Sequence, residues 1–169
     1  MRHPVSQLPI QVTEPQALLL LREAEGAEER DRWYPAAVQY RNLGLLLKER
    51  GSEALSAVPF GRAATCFELA LQWRDAARSY FDAAAALSSV PDKLQQAGEL
   101  FNRAAFCFLS ARENFNAGDA YRRCAEAFSK SPLDMIDTQH NIPPVAGGAN
   151  KLFVAATAYT AAGDAFLAT

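Results

Sequence analysis

The chain has 169 residues, of which 50% are hydrophobic and 21% charged, and its formal net charge is −2. This length suits a single domain, and the slightly acidic balance argues against the broad basic surface that binds nucleic acid. Aliphatic runs such as Leu18 to Leu21 are far too short to cross a bilayer, so we expect no direct membrane insertion.

The chain contains three cysteines, Cys66, Cys107 and Cys124. Their number is odd, no C-x-x-C pair occurs, and each lies among alanine and aromatic residues. This pattern is typical of small buried side chains in a reducing compartment rather than of disulfides or metal ligands. We therefore expect a cytoplasmic protein.

The first half of the chain predicts two helices after an extended lead-in at residues 1–12. Thr13 is the expected N-cap of the first helix, with Pro15 in its first turn and an end near Gly26. A mixed-charge connection over 28–32 leads to a second helix at 33–50. Its apolar residues recur at intervals of three and four, and Gly51 follows where a C′ glycine belongs.

The second half predicts helical hairpins. Pro59 is expected to break or begin a helix, and helices at 60–73 and 76–87 are joined by a corner at 73–75. Further helices follow at about 93–111 and 115–129, with a corner at 112–114. A proline- and glycine-rich loop spans 131–149, and a terminal helix spans about 150–168. No segment alternates with period two, so we expect no strands and a single helical domain over 13–169.

An internal repeat relates residues 60–91 to residues 101–132 at an offset of 41. Thirteen of the 32 aligned positions are identical, including Phe60/Phe101, Arg62/Arg103, Cys66/Cys107 and Tyr80/Tyr121. A fixed period of this size indicates stacked supersecondary units, because one hairpin cannot bury its aromatic face alone. The sequence therefore predicts an all-α fold of stacked helical hairpins.

The repeat resembles the tetratricopeptide superfamily in its small, aromatic and proline positions. The matching residues are Ala64, Phe67, Ala76, Tyr80 and Pro91 in one unit, and Ala105, Phe108, Ala117, Tyr121 and Pro132 in the next. This resemblance implies a right-handed α-solenoid of antiparallel hairpins that binds other proteins. The chain departs from the family in its period, which exceeds the usual 34, and in lacking the opening Trp and Gly-Tyr signature.

Two branches of that superfamily share further features with the chain. The segment Ala117-Gly-Asp-Ala-Tyr121 looks like the long hairpins of SNAP-type adaptors of membrane fusion. A second resemblance, to tetratricopeptide-like proteins of the huntingtin-associated type, uses Leu43-Gly44, Pro59-Phe60, Cys66, Leu69-Ala70 and Asp75-Ala-Ala77. Either likeness implies an adaptor in vesicle or endosome trafficking.

The end of the chain repeats the start of a second helix. Ala162-Gly-Asp-Ala-Phe166 follows the Ala117-to-Tyr121 pattern, yet three residues follow it. We expect either a capping helix or a fragment or short isoform of a longer solenoid. In the second case the apolar end near Phe153, Tyr159 and Phe166 would be an association surface.

No catalytic or cofactor-binding motif occurs in the sequence, so we expect a non-enzymatic protein without a cofactor or a metal. The open alternative is an enzyme that uses His140 with Asp134 and Asp137. These are suitable residue types for a metal or a general base, but a proline-rich loop holds them poorly in place.

Surface side chains of the first helices are the expected binding residues, because in this architecture those helices usually line the concave face. The candidates are Arg62, Glu68, Gln72, Arg103 and Glu113, which offer charge-assisted hydrogen bonds to a partner protein. The alternative for each is an ordinary solvated side chain. We predict a scaffold or adaptor whose partner is another protein, such as a large scaffold or a trafficking complex, and not nucleic acid.

Overall fold

A computed structural model describes residues 8–10, 12–131, 157 and 160–168, and it confirms the all-α fold within them. The helices are α1 (Pro15–Glu28), α2 (Trp33–Glu49), α3 (Glu53–Leu69), α4 (Trp73–Ser88), α5 (Leu94–Ser110) and α6 (Asn114–Lys130). A short 3-10 turn, Pro91–Lys93, lies between α4 and α5. Helix recurs at 160–167.

Each helix packs mainly against its neighbours in sequence, so the described chain is a row of three hairpins, α1–α2, α3–α4 and α5–α6. The core between them is dominated by fully buried alanines, among them Ala36, Ala64, Ala76, Ala104 and Ala117. Alanine at a contact lets two helix backbones approach closely, while Tyr40, Phe60, Phe67 and Tyr80 fill the remaining space.

Four of the corners between helices contain one residue whose backbone adopts the left-handed helical conformation. In three hairpins this residue is not glycine: Asp31, Leu71 and Arg112 have φ of 55°, 58° and 59°. At Leu71 the backbone N–H bonds to the Glu68 carbonyl, and the next N–H, of Gln72, bonds to the Phe67 carbonyl at 2.8 Å. This is the Schellman pattern, which satisfies the last carbonyls of a helix. The predicted C′ role of Gly51, with φ 75°, is confirmed.

The α1–α2 hairpin is a third copy of the repeat that the offset of 41 did not find. Its offset to α3–α4 is 40, and it aligns residues of the same type: Glu28/Glu68, Trp33/Trp73, Ala36/Ala76, Ala37/Ala77, Tyr40/Tyr80 and Leu47/Leu87. The left-handed corner residues Asp31 and Leu71 align in the same register. The repeat therefore begins with α1, not with residue 60.

The prediction for Pro59 was wrong, because it lies inside α3, which already begins at Glu53. Proline removes one N–H from a helix and costs about 3 kcal/mol in an interior position. Here its ring is fully buried, so packing offsets part of that cost. Two further predictions differ from the structure by a few residues. The N-cap of α1 is Glu14 rather than Thr13, and the α3–α4 corner lies at 70–72 rather than at 73–75.

The C-terminal helix contacts the third hairpin through Phe166. The Phe166 ring packs over the backbone of Gly118 and lies edge-on to Phe115, with ring centroids 5.5 Å apart. The loop predicted at 131–149 lies outside the described residues except for Ser131, as do most of the residues before 160 in the predicted terminal helix. Within the described part of the chain, no helix combines the length and apolar character that crossing a bilayer requires.

Candidate functional site

A polar triad joins the second hairpin to the third. The Tyr80 hydroxyl donates a hydrogen bond to the Glu68 carboxylate at 2.5 Å, and the Arg103 guanidinium donates to the same oxygen at 2.9 Å. The guanidinium also lies over the Tyr80 ring, 5.4 Å from its centroid. Because Arg103 belongs to α5 while Glu68 and Tyr80 belong to α3 and α4, this triad fixes one hairpin on the next.

The same triad recurs between the first and second hairpins. The Tyr40 hydroxyl donates to Glu28 at 2.7 Å, and Arg62 of α3 donates to the Tyr40 oxygen at 3.2 Å. Burial, followed by the hydrogen bond to the carboxylate, raises the pKa of both tyrosines, so both hydroxyls stay protonated. The repeated residues Arg62 and Arg103 are therefore inter-hairpin contacts.

The other predicted binding residues also have partners within the chain. Glu68 is the acceptor of the triad, and Glu113 forms an ion pair with Arg74 and accepts a hydrogen bond from Asn116. Gln72 is exposed beside the α3–α4 corner, and its side chain bonds to the Ala70 carbonyl. Whether any of the five residues binds a partner stays a prediction.

Two concave features of the described residues lie on the second helices of the hairpins. A cavity of about 350 Å³ opens between α4 and α6, and one of about 310 Å³ opens between α2 and α4. We call them the α4–α6 bay and the α2–α4 bay. Arg41 lines both, so the two bays adjoin and together form what we call the second-helix groove.

The two bays are built from equivalent residues of the repeat. Phe67 lies at the floor of the α2–α4 bay, and Phe108 lies at the floor of the α4–α6 bay. These two residues are equivalent at the offset of 41. One wall of each bay comes from three equivalent positions at the offset of 40: Val38/Arg78, Arg41/Phe81 and Asn42/Asp82. The groove is thus a product of the repeat, while its chemistry differs from bay to bay.

The α2–α4 bay is mostly apolar. Tyr34 and Leu45 line it and are 51% and 42% exposed, and the Tyr34 ring lies edge-on to Phe67 with centroids 5.8 Å apart. Its charged members are Arg41 and Asp75, whose nearest polar atoms are 3.8 Å apart. Large apolar side chains that stay this accessible suit a binding surface better than a core.

The α4–α6 bay is lined by charges of both signs, from two arginines and two aspartates. Arg78 makes no ion pair or hydrogen bond with the described residues, and the buried Nε of Arg41 has no hydrogen-bond partner among them. Asp82 lines the same bay, and burial raises the pKa of its carboxyl, although Lys48, Arg41 and Arg78 act against that rise. A buried, unpaired N–H is costly unless a ligand or water satisfies it.

Asp119, at the opposite side of that bay, differs from Asp82 in having partners. Partial burial raises its pKa, but hydrogen bonds from Arg122 and Arg123 outweigh this and lower the pKa below the usual value for aspartate. Arg123 donates to Asp119 at 3.1 Å, and its guanidinium lies 5.0 Å from the centroid of Phe81. Asp119 therefore adds little free negative charge to the bay.

The predicted burial of the cysteines is confirmed. All three thiols are buried in the core, and burial raises the pKa of Cys107 and Cys124 to about 12. In the part of the chain that the structure describes, no group of three or more His, Cys, Asp and Glu side chains is placed to hold a metal. His140, Asp134 and Asp137 lie outside the described residues.

Sequence reasoning missed the second-helix groove, because it expected the first helices to line the concave face. Arg41 and Arg78 lie 37 residues apart in sequence, and no motif connects them. The signal that would have shown the groove is the repeat itself, once the first hairpin is aligned with the second.

Comparisons with known proteins add no family. No family model matches the sequence, and no curated protein and no solved structure is significantly similar to it.

Proposed function

We propose that this chain is a non-enzymatic protein-interaction module whose second-helix groove binds a segment of another protein. In this proposal the hairpins form a short right-handed α-solenoid of the tetratricopeptide type, working in the cytoplasm as a scaffold or adaptor. The observation that carries it is the pair of adjoining bays built from equivalent residues of the repeat. Repeat proteins use such continuous surfaces to hold extended partners.

The side chains that line the groove are suited to binding. The described residues that line it are arginine, aspartate, asparagine, aromatic and aliphatic side chains. These side chains offer hydrogen bonds and apolar contact but no nucleophile of the serine or cysteine type. The trafficking role stays a prediction, because no feature of the groove favours it over other adaptor roles.

An affinity capture experiment with matched variants tests the proposal. The full chain, Leu45→Asp and Arg78→Glu in the groove, and Arg22→Glu as a control are immobilised and exposed to cell extract. Arg22 is exposed on α1 and lines neither bay, so its variant makes the same charge reversal away from the groove. Circular dichroism confirms that all four proteins are equally helical.

The expected result is a protein that the wild type and Arg22→Glu retain in near-equal amounts and that both groove variants lose. Quantitative mass spectrometry of the captured proteins measures this. If every captured protein binds all four chains alike, the groove is not the binding site and the proposal is wrong.

A further inference from the structure

The lead-in before α1 lies against the second hairpin, although the chain joins it to the first. The Arg62 guanidinium of α3 donates a hydrogen bond to the Leu8 carbonyl at 3.1 Å, across 54 positions of sequence. Ile10 and Val12 are partly buried and pack against the hydrophobic core. A segment without helix or strand thus occupies a surface of α3, and Arg62 does not line the second-helix groove.

Proline keeps this segment out of a helix. Pro9 has no N–H, and it restricts the residue before it, Leu8, to an extended backbone. Ile10 and Val12 are two positions apart, so an extended backbone directs both side chains to the same side. The segment therefore presents a carbonyl to Arg62 and two aliphatic side chains to the core.

Arg62 is held in place by the first hairpin as well as by the lead-in. Its Nη1 donates to the Tyr40 hydroxyl at 3.2 Å and lies 3.6 Å from a carboxylate oxygen of Glu25, and its guanidinium lies over the Tyr40 ring. The bond to Leu8 uses the other terminal nitrogen, Nη2. The donor therefore keeps its position when the lead-in leaves, which lowers the cost of binding another segment. We call Glu25, Tyr40 and Arg62 the Arg62 site.

Few contacts hold the lead-in on this site. Among the described residues, the bond from Arg62 is the only hydrogen bond that residues 8–10 and 12 make. The Leu8 side chain stays 47% exposed. Ordering a terminal segment costs conformational entropy, and segments with few contacts open at a low cost in free energy. The lead-in is therefore an exchangeable cover.

We propose that the Arg62 site is a second binding surface, that the chain's own lead-in covers it, and that an extended segment of another protein displaces the lead-in and binds there. The segment has the chemistry of the lead-in, namely a backbone carbonyl followed by two aliphatic side chains two positions apart. Every segment has backbone carbonyls, so the aliphatic pair supplies the selectivity. This surface is independent of the proposed function of the second-helix groove.

A fluorescent peptide of residues 6–14 serves as the probe for the partner segment. In the full chain, Ile10→Asp combined with Val12→Asp should release the lead-in, because a charged side chain does not pack against an apolar core. Fluorescence anisotropy should show that this released chain binds the peptide about tenfold more tightly than the wild type, whose tethered lead-in competes at an effective concentration on the order of 1 mM.

The matched control for the released chain is Leu71→Asp combined with Leu167→Asp. These residues are 69% and 88% exposed, so the control adds the same charge to aliphatic positions outside the lead-in. It should bind the peptide as the wild type does. Equal affinity of the released chain and the control, or no binding to the released chain up to about 1 mM peptide, overturns the proposal.

A change in the peptide separates the contact with Arg62 from misfolding. An alkene in place of the Leu8–Pro9 amide keeps the shape of the peptide and removes the carbonyl acceptor, so binding to the released chain should weaken about fivefold or more. Arg62→Met in the released chain should weaken binding of the amide peptide alone. A misfolded variant would lose both peptides, and an equal loss for both overturns the proposal.

The last measurements identify the occupant. The released chain should retain from cell extract a protein that the amide peptide displaces and the alkene peptide does not. If it retains none, or if sedimentation shows that it dimerises through the Arg62 site, the site has no segment of another protein as its ligand and the proposal is wrong. Arg78→Glu should leave peptide binding unchanged, so the proposed function of the groove can fail while this proposal stands. Loss of peptide binding in Arg78→Glu would place the peptide in the groove and overturn the proposal.

Discussion

The Tyr80 hydroxyl donates a 2.5 Å hydrogen bond to the Glu68 carboxylate, twelve residues earlier in the chain and on the other helix of the same hairpin. Tyr40 and Glu28 repeat this contact in the first hairpin at the same separation. In the third hairpin the equivalent residues are Tyr121 and Leu109, so the acceptor is missing. The Tyr–Glu contact is thus specific to the first and second hairpins. In each case the next hairpin supplies an arginine that also contacts this pair.

Replacing Tyr80 with Phe removes this donor and leaves the ring in place. Because Tyr80 is fully buried and its acceptor is charged, we expect the free energy of unfolding to fall by about 1.5–3 kcal/mol. Urea unfolding followed by circular dichroism measures the change.

Tyr121→Phe is the matched control for that measurement. Tyr121 is half-buried at the equivalent position and makes no hydrogen bond with the described residues. Its replacement should change the stability by less than about 0.5 kcal/mol. Equal effects of the two substitutions would mean that the Tyr80–Glu68 bond contributes nothing specific.

The hairpin corners offer a second test, because Leu71 and Arg112 have φ near 58°, where a side chain is strained. Leu71→Gly and Arg112→Gly should each raise the stability by about 0.5–1 kcal/mol, since glycine adopts this conformation freely. Both side chains are exposed, so little packing is lost. Thermal unfolding of the single variants measures the gain.

Gly51→Ala is the opposite change at an equivalent corner. Gly51 has φ 75°, and nothing lies within 4 Å of an added Cβ, so any cost comes from the backbone alone. We expect a loss of about 1 kcal/mol. A stabilised Gly51→Ala would contradict the assigned role of the left-handed corners.

The sequence predicts the hairpins well, because their alternation of small and aromatic residues directly reflects helix packing. Sequence reasoning predicts the two helices of the first hairpin but does not assign them to the repeat, because the first two units are 40 residues apart while the second and third are 41 apart. It also misplaces Pro59, whose local preference for a helix start is overridden by burial in α3. Tertiary packing decides the position of Pro59, and a local sequence pattern does not record it.

The second-helix groove shows why a site is harder to predict than the fold. Arg62 and Arg103 stand out in the sequence because they recur in the repeat, and the structure places both in contacts between hairpins. Arg41 and Arg78 do not recur, since their equivalents are Phe81 and Val38. The repeat therefore predicts which positions line the groove but not their charges, because these differ from one repeat to the next.

Close packing of α2 on α3 gives a third prediction. An added Cβ on Gly44 would lie 2.7 Å from two carbons of the Phe60 ring, and Phe60 is itself buried, so neighbouring core atoms would have to shift. We expect Gly44→Ala to lower the free energy of unfolding by about 1–2 kcal/mol, as overpacked cores do. Urea unfolding measures the loss.

Gly26→Ala makes the same substitution in α1, where the added methyl would meet only the Arg30 Nη1 at 3.6 Å. Alanine is the better helix former by about 1 kcal/mol, so this variant should gain stability. If both variants gain stability, Gly44 is not needed for the approach of α2 to α3.

The pH dependence of stability distinguishes the two aspartates of the α4–α6 bay. Burial raises the pKa of Asp82 above its unfolded value of about 3.9, so the ionised carboxylate opposes folding at neutral pH. Asp82→Asn should therefore be more stable than the wild type at neutral pH. The advantage should shrink as the pH falls below the pKa of Asp82 in the folded chain and should vanish below about 4, where the carboxyl is protonated in both states.

Asp119→Asn should behave in the opposite way. The pKa of Asp119 is lowered in the folded chain, so its carboxylate stabilises the fold above the unfolded pKa and loses this effect as the pH falls. The loss at neutral pH should be small, because its ion pairs with Arg122 and Arg123 are partly exposed. Urea unfolding of both variants from about pH 3 to about pH 8 gives the two curves. If Asp82→Asn instead loses stability at neutral pH, then Lys48, Arg41 and Arg78 outweigh burial, and their charge is already used within the chain rather than available to a partner.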